Sequence, residues 1–254
     1  MSTQPADSDS KVAKETHNYQ PPGEGASRSV CPALNTMANH GYIHRDGKNI
    51  SMLEIYRGLK ACWGLSSPLA GLLALGGWFA IRRLGRINLF DIGLHNAIEH
   101  DASVVHLDCP AGQKYAPIEI QQDLVEEFVT HAAKAASAAA GRRIAEADIL
   151  VTEQDMVQTR IRREKLSPPL DSFHADLGCG ELVAIFGIWS RTVDGKQGVP
   201  LSWIRTWFTT EKLPDGWSPD HVETLRAVLK GIRAMKAEMK KIRDEEVTAA
   251  AGSQ

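Results

Sequence analysis

The chain has 254 residues, with 29 Lys and Arg against 31 Asp and Glu, a formal net charge of −2, and 43% hydrophobic residues. This length allows a substantial core in one domain, and the balanced charge indicates neither a nucleic-acid partner nor a membrane partner. The four cysteines, Cys31, Cys62, Cys109 and Cys179, include no CxxC pair, which argues against a structural zinc site and a full disulfide framework.

The two ends of the chain differ in composition from its middle. Residues 1–28 are rich in Ser, Pro, Gly and charge and are predicted to form a disordered or surface-laid arm. One folded domain is predicted over 29–245, followed by a frayed tail over 246–254. The first ten residues lack the apolar stretch of a secretory signal peptide, so we expect an intracellular protein as written, or a secreted one if a leader was removed.

The first predicted helix follows Cys31. Pro32 suits the first helical position, and Leu34 and Ala38 recur at helical spacing. A sulfur at a helix N-terminus faces free backbone N–H groups and the positive end of the helix dipole, which favour the thiolate. Such a thiolate is suited to act as a nucleophile, a zinc ligand or a ligand of haem iron. The alternative is a buried structural cysteine.

Further helices are predicted along the chain, and strand signals are sparse. Ser51 and Glu54 have the spacing of a capping box that starts a helix. The apolar run 68–81 is too short to cross a bilayer and is interpreted as a buried core helix. Composition and periodicity predict helices over 120–144, 147–166 and 219–243. The predicted fold is mainly α, one compact all-helical domain with few or no strands.

The stretch 95–103 concentrates polar side chains. If it is helical, Glu99 and Ser103 share one face, where a carboxylate and a hydroxyl suit Mg²⁺ or Mn²⁺ rather than zinc. The alternative is a solvent-exposed helix start. His95 and His106 fit no ligand pattern and are interpreted as surface or packing histidines.

Glu181 directly precedes the apolar run 182–186. Burial of a carboxylate is costly unless it is protonated or paired, and burial raises its pKa, which suits a group that accepts and returns a proton. The alternative is a glutamate at a helix start, stabilised by the helix dipole. Asp176 and Glu164 are weaker candidates for the same role.

Three motifs resemble those of the haem-thiolate peroxidases, the family of fungal chloroperoxidase and the unspecific peroxygenases. They are Cys31-Pro32-Ala33-Leu34 with its continuation to residue 50, Glu99-His100-Asp101 followed by Ser103, and Gly180-Glu181 before an apolar run. The segment 210–217 is similar to a C-terminal segment of that family, so the resemblance covers 29–217 and extends into the last helix. Val30 departs from the proline that many members have before the cysteine.

The resemblance implies a haem b group and a set of roles for its motif residues. The implied haem site consists of Cys31 as the iron ligand, with Pro32, Ala33 and Leu34 beside it. The implied Mg²⁺ or Mn²⁺ site, next to a haem propionate, consists of Glu99, the backbone carbonyl of His100 and Ser103. Glu181 is implied as the catalytic acid, and His100 as the residue that orients it.

The resemblance also implies a peroxygenase or peroxidase reaction. Hydrogen peroxide would be cleaved at the iron to give an oxo-ferryl species, which inserts oxygen into small hydrophobic or aromatic substrates or oxidises them by one electron. Some relatives oxidise halide at the same site. The expected substrate pocket is lined by Ile98, Leu177, Gly180 and Ala184, and the small residues near Glu181, including Gly178, favour a roomy channel.

Two other functions are compatible with the same residues. The first is a haem-binding protein that senses or stores haem or peroxide without turnover, which would not need Glu181 over the iron. The second is a haem-free helical interaction domain in which Cys31 is merely buried.

Overall fold

The computed structural model describes residues 17–251, so residues 1–16 of the predicted arm and residues 252–254 of the predicted tail lie outside the described residues. Over the described range the fold is mainly α, as predicted. Its helices are α1 (Pro32–Asn39), α2 (Met52–Trp63), α3 (Ser67–Ala80), α4 (Gln122–Ala140), α5 (Glu153–Leu166), α6 (Ser172–Trp189), α7 (Leu201–Thr210) and α8 (Leu225–Ala251).

Local sequence signals explain where α1 begins and where α2 begins and ends. α1 starts directly after Cys31 with Pro32 in its first turn, as predicted. α2 starts with the predicted capping box, in which the Ser51 hydroxyl accepts from the Glu54 N–H at 3.2 Å and the Glu54 carboxylate accepts from the Ser51 N–H at 3.0 Å. It ends at Gly64, whose φ of 67° suits a residue without a side chain.

A small antiparallel sheet connects α6 to α7. Its strands, in the spatial order β1-β3-β2, are β1 (Leu150–Val151), β2 (Arg191–Val193) and β3 (Lys196–Pro200). The turn between β2 and β3 contains Asp194 and Gly195, which both have positive φ, as two-residue hairpins require. These short strands agree with the prediction of few strands.

α6 is the central helix and packs against α5 and α8. Its last residue, Trp189, is 1% exposed and lies in an aromatic cluster. The ring centroids of Trp217, Trp207 and Trp63 lie 4.5, 4.8 and 5.5 Å from that of Trp189. This packing fixes one end of α6 and therefore the direction in which its Glu181 face points.

The last helix differs from its prediction over 219–243. It begins only at Leu225, because Glu223 is held in an extended segment by backbone hydrogen bonds with Gly64 at 3.1 Å and Ser66 at 2.8 Å. It also continues through residues 246–251, where Glu246 forms an ion pair with Lys165 of α5 at 2.7 Å.

The apolar run 68–81 forms α3, but it is buried on one side only. Ala70 and Ala74 lie in the core, whereas Leu75 and Phe79 are 59% and 88% exposed. The interpretation as a buried core helix is therefore wrong for one face. Within residues 17–251, no helix is both long and apolar enough to cross a membrane.

The described part of the predicted arm, residues 17–28, lies on the surface near the end of α1. The His17 ring stacks on Tyr42 with centroids 3.7 Å apart. The Nδ1 of His17 lies 3.0 Å from the His40 carbonyl, and the Nδ1 of His40 lies 2.8 Å from the His17 carbonyl. These contacts agree with the surface-laid form of the prediction for this part of the arm.

The stretch 95–103 is a series of turns rather than a helix. Asn96 and Ala102 have φ values of 59° and 66°, which a continuous right-handed helix does not allow. The helical interpretation is therefore wrong, and Glu99 and Ser103 do not share a helix face.

Two arginines of α5 hold this turn in place. Arg160 donates from Nη1 to the Ala102 carbonyl at 3.2 Å, and Arg163 donates from Nε to the Ser103 carbonyl at 2.6 Å. The Arg160 side chain is 1% exposed and forms an ion pair with Glu164 at 2.7 Å, which compensates the burial of its charge.

Gly178 of α6 makes room for this buried guanidinium. A Cβ on Gly178 would lie 2.5 Å from Cζ of Arg160, which is far inside van der Waals contact. The absence of a side chain at Gly178 therefore allows α5, α6 and the 95–103 turn to pack together.

We predict that Gly178→Ala lowers the free energy of unfolding by about 1–3 kcal/mol, because the new methyl group would displace the Arg160 guanidinium. Urea unfolding followed by circular dichroism measures the change. Gly71→Ala in α3 is the matched control, since no atom lies within 4 Å of its Cβ position, and we expect it to stabilise the helix by up to about 1 kcal/mol. A Gly178→Ala protein as stable as the wild type would contradict this packing argument.

Candidate active site

Cys31 lies at the N-terminus of α1, as predicted. The backbone N–H groups of Leu34 and Ala33 hydrogen-bond to its sulfur and lower the pKa of the thiol, but burial raises it more, and the charge of Glu181 adds to the increase, so the pKa reaches about 11. The N–H groups at the helix terminus therefore favour the thiolate, as predicted, but the burial of the sulfur outweighs them. A cation bound to the sulfur, such as a metal ion, would shift the balance back to the thiolate.

A hydrogen-bond network fixes the loop that carries Cys31. The Cys31 N–H donates to the Ser29 hydroxyl at 3.1 Å. Asn35 binds the Ser29 backbone on both sides, accepting from its N–H and donating to its carbonyl, both at 2.8 Å. The Asn35 amide also donates to Glu211 Oε1 at 2.6 Å, which links this loop to the end of α7.

Glu211 is a buried carboxyl at the end of this network. It is 8% exposed and has a left-handed φ of 51°. Burial raises the pKa of Glu211 from 4.5 to about 7, while the Asn35 hydrogen bond and the charge of Arg28 oppose the rise. Arg28 reaches Glu211 indirectly, because it donates to Asn39 Oδ1 at 2.7 Å and the Asn39 amide donates to the Glu211 carbonyl at 3.4 Å.

Glu181 lies in the middle of α6, which runs from Ser172 to Trp189. The alternative of a helix-start glutamate is therefore wrong. Its Oε2 lies 3.6 Å from His100 Nε2, so the structure brings the two predicted catalytic residues together. The Glu181 side chain is 62% exposed, in contrast to the burial expected from the neighbouring apolar run.

His100 presents one ring nitrogen to Glu181. Its side chain is 3% exposed, and its Nδ1 lies 2.7 Å from the Asp101 carbonyl, a geometry in which Nδ1 carries the proton and donates it. Nε2 is buried and has no hydrogen-bond partner among the described residues. A buried nitrogen of this kind is costly unless Glu181 or a bound molecule completes its hydrogen bonding.

The face of α6 that carries Glu181 also carries two apolar side chains. Leu177 and Ala184 share this face and are only half-buried, although α6 is the central helix. A Cβ on Gly180 would lie 3.3 Å from Cδ1 of Ile232 of α8, so this glycine allows α6 and α8 to pack closely. The pocket lining at Gly180 and the roomy channel near Gly178 stay predictions.

Ile98 directly precedes Glu99 and His100 in the turn and lies beside α3. Its Cδ1 lies 3.8 Å from the Cβ position of Gly77 in α3, and the residue is half-buried. The inner side of α3 therefore supports the wall of the predicted pocket. Cys31, Pro32, Ala33 and Leu34 are likewise half-buried at the start of α1.

The residues near Cys31 and Glu181 fit the haem group that the sequence resemblance implies. Cys31 offers a sulfur that a metal cation would help to deprotonate, and its N–H neighbours would stabilise the thiolate. Glu181 lies close enough to Cys31 for its charge to raise the pKa of the thiol, so an acid stands near the sulfur. The apolar residues Ala184 and Ile98 offer the surface against which a porphyrin packs.

Comparison with known proteins shows the family to which the chain belongs. Residues 17–222 match the family described as "Peroxidase, family 2". The chain belongs to this family. The membership confirms the resemblance to the chloroperoxidase family that the sequence motifs indicated.

Three relatives are similar to parts of this chain. Chloroperoxidase of Leptoxyphium fumago is 28% identical over 221 residues, covering 79% of this chain and 57% of that protein. The dothistromin biosynthesis peroxidase dotB of Dothistroma septosporum is 38% identical over 73 residues, covering 28% of this chain and 17% of dotB. The aromatic peroxidase fscJ of Fusarium equiseti is 36% identical over 63 residues, covering 24% of this chain and 14% of fscJ. The chain thus spans little more than half the length of chloroperoxidase.

The side chains that the 95–103 turn brings together differ from the predicted cation ligands, which were Glu99, the His100 carbonyl and Ser103. His95, Glu99 and Asp101 offer ligand atoms within 4.8 Å of one another. The Nδ1 of His95 lies 2.7 Å from Glu99 Oε2, so His95 is more than a surface or packing residue. The Ser103 hydroxyl instead accepts backbone N–H bonds from Val105 at 3.3 Å and His106 at 3.2 Å.

The weaker candidates for the acid have other partners. Asp176 is exposed and pairs with Lys236. Glu164 binds Arg160 at 2.7 Å and Arg243 at 2.6 Å, which lowers the pKa of its carboxyl. Neither is poised to exchange protons with a ligand near Cys31.

Sequence reasoning missed Glu211, Asn35 and His95. Asn35 lies one helical turn after Cys31, a spacing that signals a contact with the cysteine loop. Its pairing with Glu211, 176 positions later, has no local signal.

We predict that the free energy of unfolding depends on pH through Glu211. Because its pKa in the folded protein is raised to about 7, folding favours the protonated form, so stability is fully present below pH 4.5 and is lost as pH rises to about 7. The loss from this group is about 3 kcal/mol. In urea unfolding, Glu211→Gln should remove that part of the pH dependence, whereas Glu126→Gln, at an exposed site, should retain it. Parallel pH profiles for Glu211→Gln and the wild type would contradict the assignment.

Proposed function

We propose that this chain is a haem-thiolate peroxidase that uses hydrogen peroxide to oxygenate or oxidise small hydrophobic or aromatic substrates. The main support is that the Glu181–His100 pair lies near enough for the Glu181 charge to act on Cys31, in a member of peroxidase family 2. When bound, haem b would supply the iron at which peroxide is activated and oxygen is transferred to substrate.

In this proposal Cys31 holds the haem iron through its sulfur. The N–H groups of Ala33 and Leu34 that point at the sulfur would stabilise its negative charge without neutralising it. The Ser29–Asn35–Glu211 network would keep the loop, and so the sulfur, in one position.

Glu181 moves the proton in the proposed reaction. Its carboxylate would take a proton from hydrogen peroxide and return it to the oxygen that leaves as water. His100 Nε2, 3.6 Å from Glu181 Oε2, would hold that carboxylate in the required direction, because the hydrogen bond from Nδ1 to Asp101 fixes the imidazole ring. The exposure of Glu181 supports this role, since a buried carboxyl would not reach peroxide.

The apolar walls support the choice of substrate class. Ile98, Leu177 and Ala184 offer no charged group near Glu181, so the pocket favours apolar molecules over charged ones. The named functions of the relatives, including an aromatic peroxidase, agree with this class.

The proposal retains a divalent cation, Mg²⁺ or Mn²⁺, close to the haem. Burial raises the pKa of Glu99, and the hydrogen bond from His95 opposes that rise. A bound cation would stabilise the Glu99 carboxylate in place of that hydrogen bond. The carboxylates of Glu99 and Asp101 would be its hard ligands, and His95 would be a further ligand, which the sequence did not predict.

Halide oxidation by the same site is the second candidate. It is favoured by the similarity to chloroperoxidase over 79% of this chain. Product analysis after incubation with peroxide, halide and monochlorodimedone distinguishes it from oxygenation of alkanes and aromatics.

We predict that Glu181→Gln lowers peroxide-dependent turnover by about 100- to 10,000-fold, because glutamine cannot accept and return the proton. The absorption spectrum of the haem protein should be retained, since the acid does not hold the iron. Asp176→Asn, on the same helix but paired with Lys236, is the control and should keep wild-type turnover. Equal rates for wild type and Glu181→Gln would overturn the role of Glu181.

We predict that Cys31→Ser abolishes the red-shifted Soret band that thiolate ligation gives the reduced carbon monoxide adduct. The band should persist in Cys109→Ser, because the Cys109 sulfur lies beside the carbonyls of Pro110 and Gln113, and its hydrogen bond to Asp101 is made by the backbone N–H, which serine retains. A correctly folded wild-type protein that takes up no haem would instead favour a haem-free interaction domain.

A further inference from the structure

α3 exposes an apolar face to solvent. Leu72, Leu75 and Phe79 lie three or four positions apart on one side of the helix and are 53%, 59% and 88% exposed. Pro68, on the same side, shares a surface groove with Leu229 of α8, which is 44% exposed. We call these five residues the apolar face. A contiguous exposed face of large apolar side chains indicates an interaction surface.

The folding of the domain does not require the exposed side of α3 to be apolar. The opposite side of the helix, with Leu69, Ala70 and Ala74, already supplies its core contacts. A helix that packs against a core on one side needs polar residues on the other, and α3 has none there. The apolar side chains on the outer side of α3 therefore indicate a contact with another molecule or surface rather than a role in folding.

Basic residues flank both ends of the apolar face. Arg226, Lys230 and Arg233 of α8 line the groove beside Pro68. Arg82, Arg83 and Arg86 follow directly after α3 and are exposed. Arg83 pairs with Asp91 and Arg86 with Glu54. The other four have no ion pair among residues 17–251.

We propose that this surface docks on an anionic phospholipid bilayer. Apolar side chains that enter the interface, with cations beside them for the lipid headgroups, are the combination that holds a helix in the plane of a membrane. Lipid phosphates and carboxylates complement the cations at both ends of the apolar face.

A second copy of the chain fits this surface less well. In a two-fold pair each apolar face meets another, and the cationic ends of one copy then face the cationic ends of its partner. Like charges brought together at an interface oppose binding. Charge therefore favours the lipid surface over self-association.

The docked orientation would place the predicted pocket near the bilayer. The inner side of α3 contacts Ile98 through the position of Gly77, so the same helix separates pocket and membrane. This consequence rests on the proposed function, and it would give the site access to lipophilic substrates dissolved in the membrane.

Co-sedimentation with vesicles tests the proposal on the full chain as purified, without peroxide or substrate. We expect binding to vesicles of phosphatidylcholine and phosphatidylserine, weaker binding at high salt, and little binding to phosphatidylcholine alone. The double variant Leu75→Ser, Phe79→Ser should lower the affinity at least tenfold, about 1.4 kcal/mol. The triple variant Arg226→Gln, Lys230→Gln, Arg233→Gln should remove the preference for anionic vesicles.

Two control variants match these changes elsewhere on the surface. Leu166→Ser removes a leucine that is 69% exposed at the end of α5, and Arg143→Gln removes an exposed cation, and both should bind vesicles as the wild type does. Absence of vesicle binding by the wild type would overturn the proposal. A dimer that Leu75→Ser, Phe79→Ser dissociates, without vesicle binding, would assign the surface to a second copy instead. Because no turnover is measured, either result is independent of the proposed peroxidase activity.

Discussion

The geometry of the candidate site depends on one buried cation, the guanidinium of Arg160. It is withdrawn from water, so its position is dictated by the partners that compensate its charge, Glu164 and the Ala102 carbonyl. Ala102 belongs to the turn that carries His100, and Gly178, which leaves space for the guanidinium, lies one turn before Glu181 on α6. A single side chain therefore sets the distance between the two residues that are proposed to handle the proton.

Near Cys31 the site is organised by two groups, the Cys31 thiol and the Glu211 carboxyl, that have no full charge compensation. Cys31 and Glu211 both have raised pKa values because burial disfavours their charged forms. Asn35 and the backbone of Ser29 provide hydrogen bonds but no positive charge. A metal cation at the Cys31 sulfur would change this balance, since it would make the thiolate the favoured form. In the proposed haem site the polypeptide would thus supply position and hydrogen bonds, and the iron would supply the main positive charge.

Local chemistry decided which parts of the fold and site could be predicted. Pro32 and the Ser51–Glu54 capping box act within a few residues, so the starts of α1 and α2 followed from the sequence. The turn around Glu99 did not, because its left-handed residues are held by contacts with α5 that lie about sixty positions away. Motif resemblance selected Cys31, Glu181 and His100 as candidates, but it did not indicate that Glu211 would reach the cysteine loop.

The same contrast between local and global properties applies to α3. A net charge of −2 is an average over the chain, and it conceals the cluster of Arg226, Lys230 and Arg233 beside the groove. The uniform apolar composition of α3 gave no helical periodicity from which an exposed side could be inferred. Only the fold shows that one side of this helix contacts the pocket wall near Ile98 and the other contacts solvent. If α3 packs against the core on one side and docks on a membrane with the other, both sides must be apolar. Its sequence is therefore typical of a buried helix, although half of its surface is exposed.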